Sequence, residues 1–224
     1  MRGLRRRKWL ATIAVPLVLV ALPGMAGADD TSQYRYQLVA KAVPDECFNG
    51  VGVAYPPGPP CAVGQPKVNQ AYVWGLAQVH NKVWFGTGAN VACLVSGFTL
   101  DVTDPILNDD FVCEYGQSQA AKANPDLLPA LGDQRPPQLM YYDKKNHHLV
   151  DESGVVDAAS PADKARRAAT IGIRAGGAFN GVVLFGGPNL NPNGGVNLFA
   201  FDGDSGRYLG STELTNYGNI RHFL

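Results

Sequence analysis

An internal repeat is the feature that most constrains what this chain can fold into. Residues 75–88 and 172–188 both run from a glycine through an aliphatic residue, a polar stretch and a turn to an apolar run that ends in glycine. The offset between the copies is 97 residues at the start and 100 at Phe85 and Phe185. Repeats of this kind indicate supersecondary units that stack on one another to bury a shared core.

A second pair of matching segments follows each copy, at residues 138–149 and 197–209. Both read as an apolar run with an aromatic residue, an aspartate, a turn and a second apolar run. The turn residues have a local structural role, because Asp and Ser side chains bond turn backbone and glycine supplies a positive φ. They are Asp143 in the first unit and Asp202, Ser205 and Gly206 in the second.

Residues 218–221 repeat the glycine, isoleucine and arginine found at 172–174, so a third copy begins there. Each unit holds about four strands in sequence, and four-stranded antiparallel units repeated around an axis are propeller blades. We therefore expect an all-β fold of propeller-like blades, with about two blades visible and closure incomplete. One short helix is expected within residues 151–169, with Asp157 or Ser160 as its cap and Pro161 at its first position.

The expected organisation divides the chain into a leader and a repeat domain. Residues 92–98 and 36–43 are interpreted as further short strands because they are apolar and free of proline. The predicted segments are a signal peptide (1–28), a proline-rich irregular leader (29–70), a first unit (71–151) with an insertion (101–137), a second unit (170–215) and the start of a further unit (216–224).

The last hairpin resembles the blade motif of quinoprotein-like propellers. The matching residues are Leu198, Ala200, Asp202, Ser205, Gly206 and Leu209. Gly210 stands where that family often places a tryptophan. The docking contact between blades that such a tryptophan makes is therefore not expected at this position. The resemblance implies a propeller architecture, and under an enzymatic interpretation it implies pyrroloquinoline quinone as a cofactor. It does not define an activity, because propellers share one fold across unrelated functions.

The N-terminal segment has the layout of a secretory signal peptide. A basic start precedes a short apolar run, and small residues before Asp29 offer a cleavage site. An uncleaved anchor is the alternative, and residues 6–10 also resemble a twin-arginine signal although Arg5 replaces the usual Ser or Thr. Cleavage leaves 14 basic against 19 acidic residues, a net charge of −5. This balance argues against nucleic-acid binding and favours a secreted or periplasmic protein without a membrane span.

Four cysteines in the first half of the mature chain indicate disulfides, since an exported protein meets an oxidising compartment. The pairing that closes the shortest loops is Cys47 with Cys61 and Cys93 with Cys113. Sequence alone leaves two other pairings open. No C-x-x-C occurs and no histidine lies close to a cysteine, so we expect no metal site.

Arg174 and Arg221 are the candidate ligand-binding residues. Each stands at the head of a repeat, and equivalent positions of radially arranged units lie on one ring, where arginines bind anionic groups. The alternative is an arginine that bonds carbonyl groups of the neighbouring unit, since Ala77 holds the matching place in the first unit. A calcium loop at Asp202 is disfavoured because Arg207 stands where such loops need glycine.

The functional hypothesis is an exported, non-catalytic binding or interaction module with an unknown ligand or protein partner. We expect no catalytic residue, no cofactor, and possible self-association that completes the propeller. One alternative is a fragment or subunit of a quinoprotein-type oxidoreductase, with Arg174 and Arg221 near the anionic cofactor. Another is a truncated product without an independent function.

Overall fold

A computed structural model describes residues 37–107, 112–123, 125, 127–131, 133–190 and 194–223. The predicted signal peptide lies outside these residues. The described strands, in chain order, are β1 (Glu46–Phe48), β2 (Gln65–Lys67), β3 (Tyr72–Val79), β4 (Lys82–Gly88), β5 (Ile106–Leu107), β6 (Val112–Cys113), β7 (Leu139–Asp143), β8 (His148–Asp151), β9 (Ala175–Phe179), β10 (Val182–Pro188), β11 (Val196–Asp202) and β12 (Tyr208–Leu214). The described helices are α1 (Val91–Thr99), α2 (Gln119–Ala123), α3 (Ser153–Ala159) and α4 (Pro161–Ala168), with a 3₁₀ turn at Pro129–Leu131.

Two four-stranded antiparallel sheets dominate the molecule. The first has the order β3-β4-β7-β8 and the second the order β9-β10-β11-β12, so within each sheet the strands follow one another in chain order. Two small antiparallel sheets, β1-β2 and β5-β6, accompany them. The fold is therefore mostly β, as expected, and no sheet within the described ranges closes on itself.

The strand register confirms the alignment of the second halves of the repeat. Gly86 pairs with Leu139 in the first sheet, and Gly186 pairs with Leu198 in the second. Equivalent residues of β4 and β10 are 100 residues apart in sequence, and those of β7 and β11 are 59 residues apart. These two offsets hold for all the pairs that the two sheets share here. The two sheets therefore repeat one local structure.

The register also corrects the alignment at the start of the repeat. Gly75 pairs with Gly86 and Ala175 pairs with Gly186, so Gly75 and Ala175 take the same place opposite the next strand. The offset is therefore 100 residues there as well. Trp74, rather than Ala77, is the first-unit residue that corresponds to Arg174.

Tight turns connect the strands as the sequence predicts. His80 and Asn180 adopt positive φ values of 45° and 49° in the two equivalent two-residue hairpin turns. In the last turn, Asp202 Oδ1 accepts hydrogen bonds from the backbone N–H of Ser205 (2.8 Å) and from its hydroxyl (2.9 Å). These bonds lower the pKa of Asp202. Gly206 supplies a positive φ of 87°, which an L side chain rarely adopts.

The main core lies between the two large sheets. Trp84 is fully buried there, and its ring centroid lies 5.2 Å from that of Phe201 and 4.7 Å from that of Tyr141. Its Nε1 donates to the carbonyl of Gly203 at 3.2 Å. The buried members of this cluster are Val79, Trp84, Leu139, Val156, Ile173, Val183, Phe185, Phe199 and Phe201.

The segment before β9, around Ile173, and the C-terminal tail, around Ile220, make equivalent contacts. The first packs on the first large sheet and the second on the second large sheet. A Cβ added at Gly86 would lie 2.3 Å from Ile173 Cβ, so the isoleucine fills the space that glycine leaves. A Cβ added at Gly186 would lie 3.1 Å from Ile220 Cγ2. Ile220 therefore takes on the second sheet the place that Ile173 takes on the first.

Two strand predictions were wrong. Residues 92–98 lie in helix α1, and the described residues of 36–43 form no regular structure. A short apolar run does not distinguish a strand from a buried helix turn. Here the helix is fixed by contacts distant in sequence, since Cys93 is bonded to Cys113 and Gly97 packs against Ala130.

Residues 151–169 contain two helices, α3 and α4, instead of one. Ser160 is the N-cap of α4 and accepts a hydrogen bond from Asp163 N, with Pro161 at the first position, as the sequence predicts. Helices α1 and α2 are additional. Within the described ranges, no helix has the length and apolar character needed to span a membrane.

Both predicted disulfides are confirmed, Cys47–Cys61 and Cys93–Cys113.

The leader and the insertion are joined by a buried ionic cluster. Glu114 is fully buried, and its Oε2 accepts from Lys67 Nζ at 2.9 Å and lies 3.3 Å from an Arg135 nitrogen. The cluster consists of Glu46, Tyr55, Lys67, Glu114, Asp133 and Arg135.

We expect acid to destabilise the junction of α4 with β12. Burial alone would raise the pKa of Asp163, but hydrogen bonds from Ser160, Ser211 and Tyr208 outweigh it and lower that pKa. The stabilisation is therefore complete above the unfolded-state value, about 3.9, and is lost as pH falls through the lower folded-state value. Thermal unfolding should be measured from about pH 6 to pH 2. The Tm of Asp163→Asn should lie furthest below that of the wild type near pH 6, and the difference should shrink as the pH falls.

The matched control for this experiment is Asp104→Asn, since Asp104 is an exposed carboxylate. Its Tm should follow the wild-type curve at every pH. A constant difference between wild type and Asp163→Asn down to the lowest pH would contradict the assignment.

Candidate anion-binding site

Three side chains from equivalent repeat positions come together beside the junction of the two large sheets. Trp74 belongs to the first unit, Arg174 leads into the second, and Arg221 follows Ile220 in the tail. Trp74 and Arg174 are in contact, and Arg221 lies near enough for its charge to act on Arg174. We call Trp74, Arg174 and Arg221 the arginine cluster.

Backbone geometry fixes the tryptophan of this cluster. The Trp74 ring lies over two glycines, since a Cβ added at Gly172 or Gly88 would come within 2.8 or 3.2 Å of it. The two glycines are bridged to each other as an isolated antiparallel pair. Glycine is needed at both positions because the backbone and the indole approach so closely.

Arg174 is held between this ring and the tail. Its guanidinium carbon lies 5.2 Å from the centroid of the Trp74 ring, within the range of a cation–π contact. One of its terminal nitrogens donates to Asn219 Oδ1 at 3.4 Å, and that same oxygen accepts from the Ile220 N–H at 2.8 Å. The asparagine therefore links the tail to the arginine.

The charges of the cluster are unbalanced. Burial lowers the pKa of Arg174, and the neighbouring positive charge of Arg221 lowers it further. Among the described residues, no carboxylate forms an ion pair with either arginine. Two guanidinium groups that repel one another gain most from an anion placed between them.

The alternative role for these arginines can be compared directly with the hydrogen bonds. Within the described ranges, neither guanidinium donates to a backbone carbonyl of the neighbouring unit. Arg174 stacks and bonds a side chain, while Arg221 is exposed. Their donors therefore remain available for a ligand.

A cavity of about 370 Å³ adjoins the cluster. Tyr72 lines it, and the Tyr72 ring meets the Trp74 ring edge-on at 5.4 Å. Its walls come from β2, the start of β3 and the first turn of α1, and include Phe48, Lys67, Asn69, Asn90 and Cys93. Its volume is within the range of small-molecule pockets.

Sequence reasoning missed Trp74 and Asn219. Matching Gly75 with Gly172 hid the equivalence of Trp74 with Arg174, and an alignment that kept the offset of 100 residues throughout would have found it. Asn219 differs from Gly172 at the corresponding place, so the repeat pattern gives no signal for it. The predicted turn residues Asp143, Asp202, Ser205 and Gly206 lie in hairpin turns and are not part of the cluster.

No protein-family model, curated protein sequence or solved structure that was compared with this chain matches it.

Proposed function

We propose that this protein is an exported, non-catalytic binding module built on propeller-like repeats, and that it binds an anionic group at the arginine cluster. The observation that carries the proposal is that Arg174, held against Trp74 and bonded to Asn219, lies within reach of the positive charge of Arg221, and that neither arginine has a described carboxylate partner. Paired arginines bind carboxylate, sulfate and phosphate groups through several charge-assisted hydrogen bonds.

The repeats support the propeller part of the proposal. Two consecutive four-stranded meanders share one register and pack face to face, which is how blades follow one another in a propeller. Ile220 extends the series, because it docks on Gly186 as Ile173 docks on Gly86. In this arrangement, Trp74, Arg174 and Arg221 are successive members of one ring of equivalent positions.

The basic, apolar and small-residue pattern of the N-terminal segment supports export. The two disulfides are compatible with an oxidising compartment outside the cytoplasm. Ligand capture on a surface of repeats requires only that the scaffold stays folded there, and the disulfides contribute to that.

The test is calorimetric titration of the protein with inorganic sulfate, compared with Arg174→Gln and Arg221→Gln. Each substitution should weaken sulfate binding about tenfold or more, because a hydrogen bond to a charged group contributes about 1.5–3 kcal/mol. Both effects should diminish at high salt, as expected for exposed charges.

Arg207→Gln is the matched control, because Arg207 is an exposed arginine in the last hairpin turn. It should leave sulfate affinity unchanged. If wild type, Arg174→Gln and Arg221→Gln bind sulfate equally or not at all, the arginine cluster is not an anion site and the proposal fails.

A further inference from the structure

One of the two disulfides has a buried carboxylate beside it. A carboxylate oxygen of Asp133 lies within 4.8 Å of both sulfur atoms of Cys93 and Cys113. Asp133 is 1 % exposed, and its Oδ1 has no hydrogen-bond partner. Among the described residues, the disulfide Cys47–Cys61 has no carboxylate oxygen so close to both its sulfurs. A buried carboxylate oxygen without a hydrogen bond costs free energy and calls for an explanation.

The two sulfurs differ in their surroundings. Cys93 lies in the first turn of α1 and is only 2 % exposed, but it lines the 370 Å³ cavity, whereas the fully buried Cys113 in β6 is not part of the cavity wall. A helix N-terminus stabilises a cysteine thiolate near it, which favours the later release of Cys93 from a mixed disulfide. Asp133 is held on the Cys113 side, because its Oδ2 accepts the backbone N–H of Glu114, the next residue, at 2.6 Å.

We propose that Cys93–Cys113 is a thiol–disulfide exchange site that reacts with a low-molecular-weight thiol entering through the cavity, and that Asp133 exchanges a proton with Cys113. This goes beyond the proposed function and does not depend on the arginine cluster. The Asp133 carboxyl, whose Oδ1 accepts no hydrogen bond, then has a use, because it carries the proton.

The incoming thiolate attacks Cys93 Sγ, a new sulfur–sulfur bond forms, and the Cys93–Cys113 bond breaks. Cys113 leaves as a thiolate and takes the proton held on the Asp133 carboxyl. The small thiol is the reductant, and the thiolate of a second molecule attacks its mixed disulfide with Cys93, which leaves Cys93 as a thiolate and forms an oxidised small disulfide. The two protons that the small thiols released to solvent return to Cys93 and to Asp133, so the product is a dithiol with Asp133 restored.

Three charged residues of the buried ionic cluster surround Asp133. Lys67 Nζ lies 3.8 Å from Oδ1, and Glu114 and Arg135 also act on the carboxyl through their charges. Burial raises the pKa of Asp133, and Lys67 and Arg135 lower it only in part. The Asp133 carboxyl therefore keeps its proton up to a higher pH than an exposed aspartate does.

The experiment is reduction of the folded, oxidised protein by glutathione, with thiols trapped by alkylation and each cysteine quantified by peptide mass spectrometry. The second disulfide, Cys47–Cys61, is an internal control in the same molecule. The proposal predicts that the glutathione adduct forms on Cys93 and not on Cys113. Resistance of Cys93–Cys113 to glutathione in the folded protein overturns it.

Asp133→Asn tests the proton, because asparagine keeps an acceptor for the Glu114 N–H and removes the acid. It should slow reduction of Cys93–Cys113 about tenfold or more, in line with general acid catalysis, and leave Cys47–Cys61 unchanged. Asp45→Asn is the control, since Asp45 is a partly buried carboxylate that bonds Asn69. Equal rates in Asp133→Asn and wild type overturn the role of Asp133.

If Asp133→Asn does not fold, the role of Asp133 can be tested in the wild-type protein. The measurement is the rate of reduction of each disulfide as a function of pH. Thiolate concentration rises with pH, so the reduction rate of Cys47–Cys61 should rise steadily up to about pH 8.5. The rate for Cys93–Cys113 should rise less steeply once Asp133 has lost its proton. Parallel profiles for the two disulfides contradict the proposal.

Discussion

Replacing Trp84 with alanine is expected to lower the free energy of unfolding by about 3–5 kcal/mol. Trp84 is fully buried and touches aromatic rings of both sheets, Tyr141 on its own sheet and Phe201 and Phe185 on the other. Alanine leaves a cavity at the centre of the interface and removes the hydrogen bond to the Gly203 carbonyl. Urea unfolding followed by far-UV circular dichroism measures the effect.

Trp84→Phe separates the two contributions, because it keeps most of the buried ring and removes only the indole N–H. It should cost less than the alanine change, on the order of 1–3 kcal/mol for the unpaired carbonyl and the lost volume. A loss below about 1 kcal/mol in Trp84→Ala would mean that the two sheets do not share this core.

Replacing Arg135 with methionine is expected to cost about 3–5 kcal/mol, because it leaves buried carboxylates without their cation. Arg135 bonds both oxygens of Glu46, at 2.7 and 3.2 Å, and lies 4.6 Å above the Tyr55 ring. Burial alone would lower the pKa of Arg135, and the hydrogen bonds and charge of Glu46 raise it instead. The guanidinium therefore stays charged inside the cluster.

Chemical unfolding of Arg135→Met, Glu46→Gln and the double variant measures the coupling between the two residues. The double variant should be more stable than the sum of the single losses predicts. Arg207→Met is the control for a surface arginine and should change stability by no more than about 0.5 kcal/mol. Additive losses for Arg135 and Glu46 would contradict the buried-pair interpretation.

The repeated strands could be predicted because their signals are local. Two-residue turns such as Asn180–Gly181 and the Asp202 turn are specified by neighbouring residues, so the hairpins around them were found. Residues 92–98 could not be assigned in the same way. Their helix depends on a disulfide and on packing against Ala130, which are contacts between segments distant in sequence.

The candidate site was predicted in part for the same reason. Arg174 and Arg221 share a local glycine and isoleucine pattern that sequence comparison within the chain detects. Trp74 was missed because the sequence alignment matched Gly75 with Gly172, whereas the strand register matches Gly75 with Ala175. The buried ionic cluster gave no signal, since its members are spread from residue 46 to residue 135.

The proposed anion site combines residues that no single unit contains. Trp74 and Arg174 hold the same structural position in two units and are in contact. We expect a substitution of Arg174 or Arg221 to leave the main core intact, because the partly exposed Arg174 and the exposed Arg221 lie outside it.

We propose that Arg174 and Arg221 bind one anion together. The most direct measurement is the NMR spectrum of the arginine side-chain Nε–H groups during titration with inorganic sulfate. We expect the signals of Arg174 and Arg221 to shift together along one binding curve, while that of Arg207 stays in place. Shifts spread evenly over all arginines, or no shift at Arg174 and Arg221, would contradict the account.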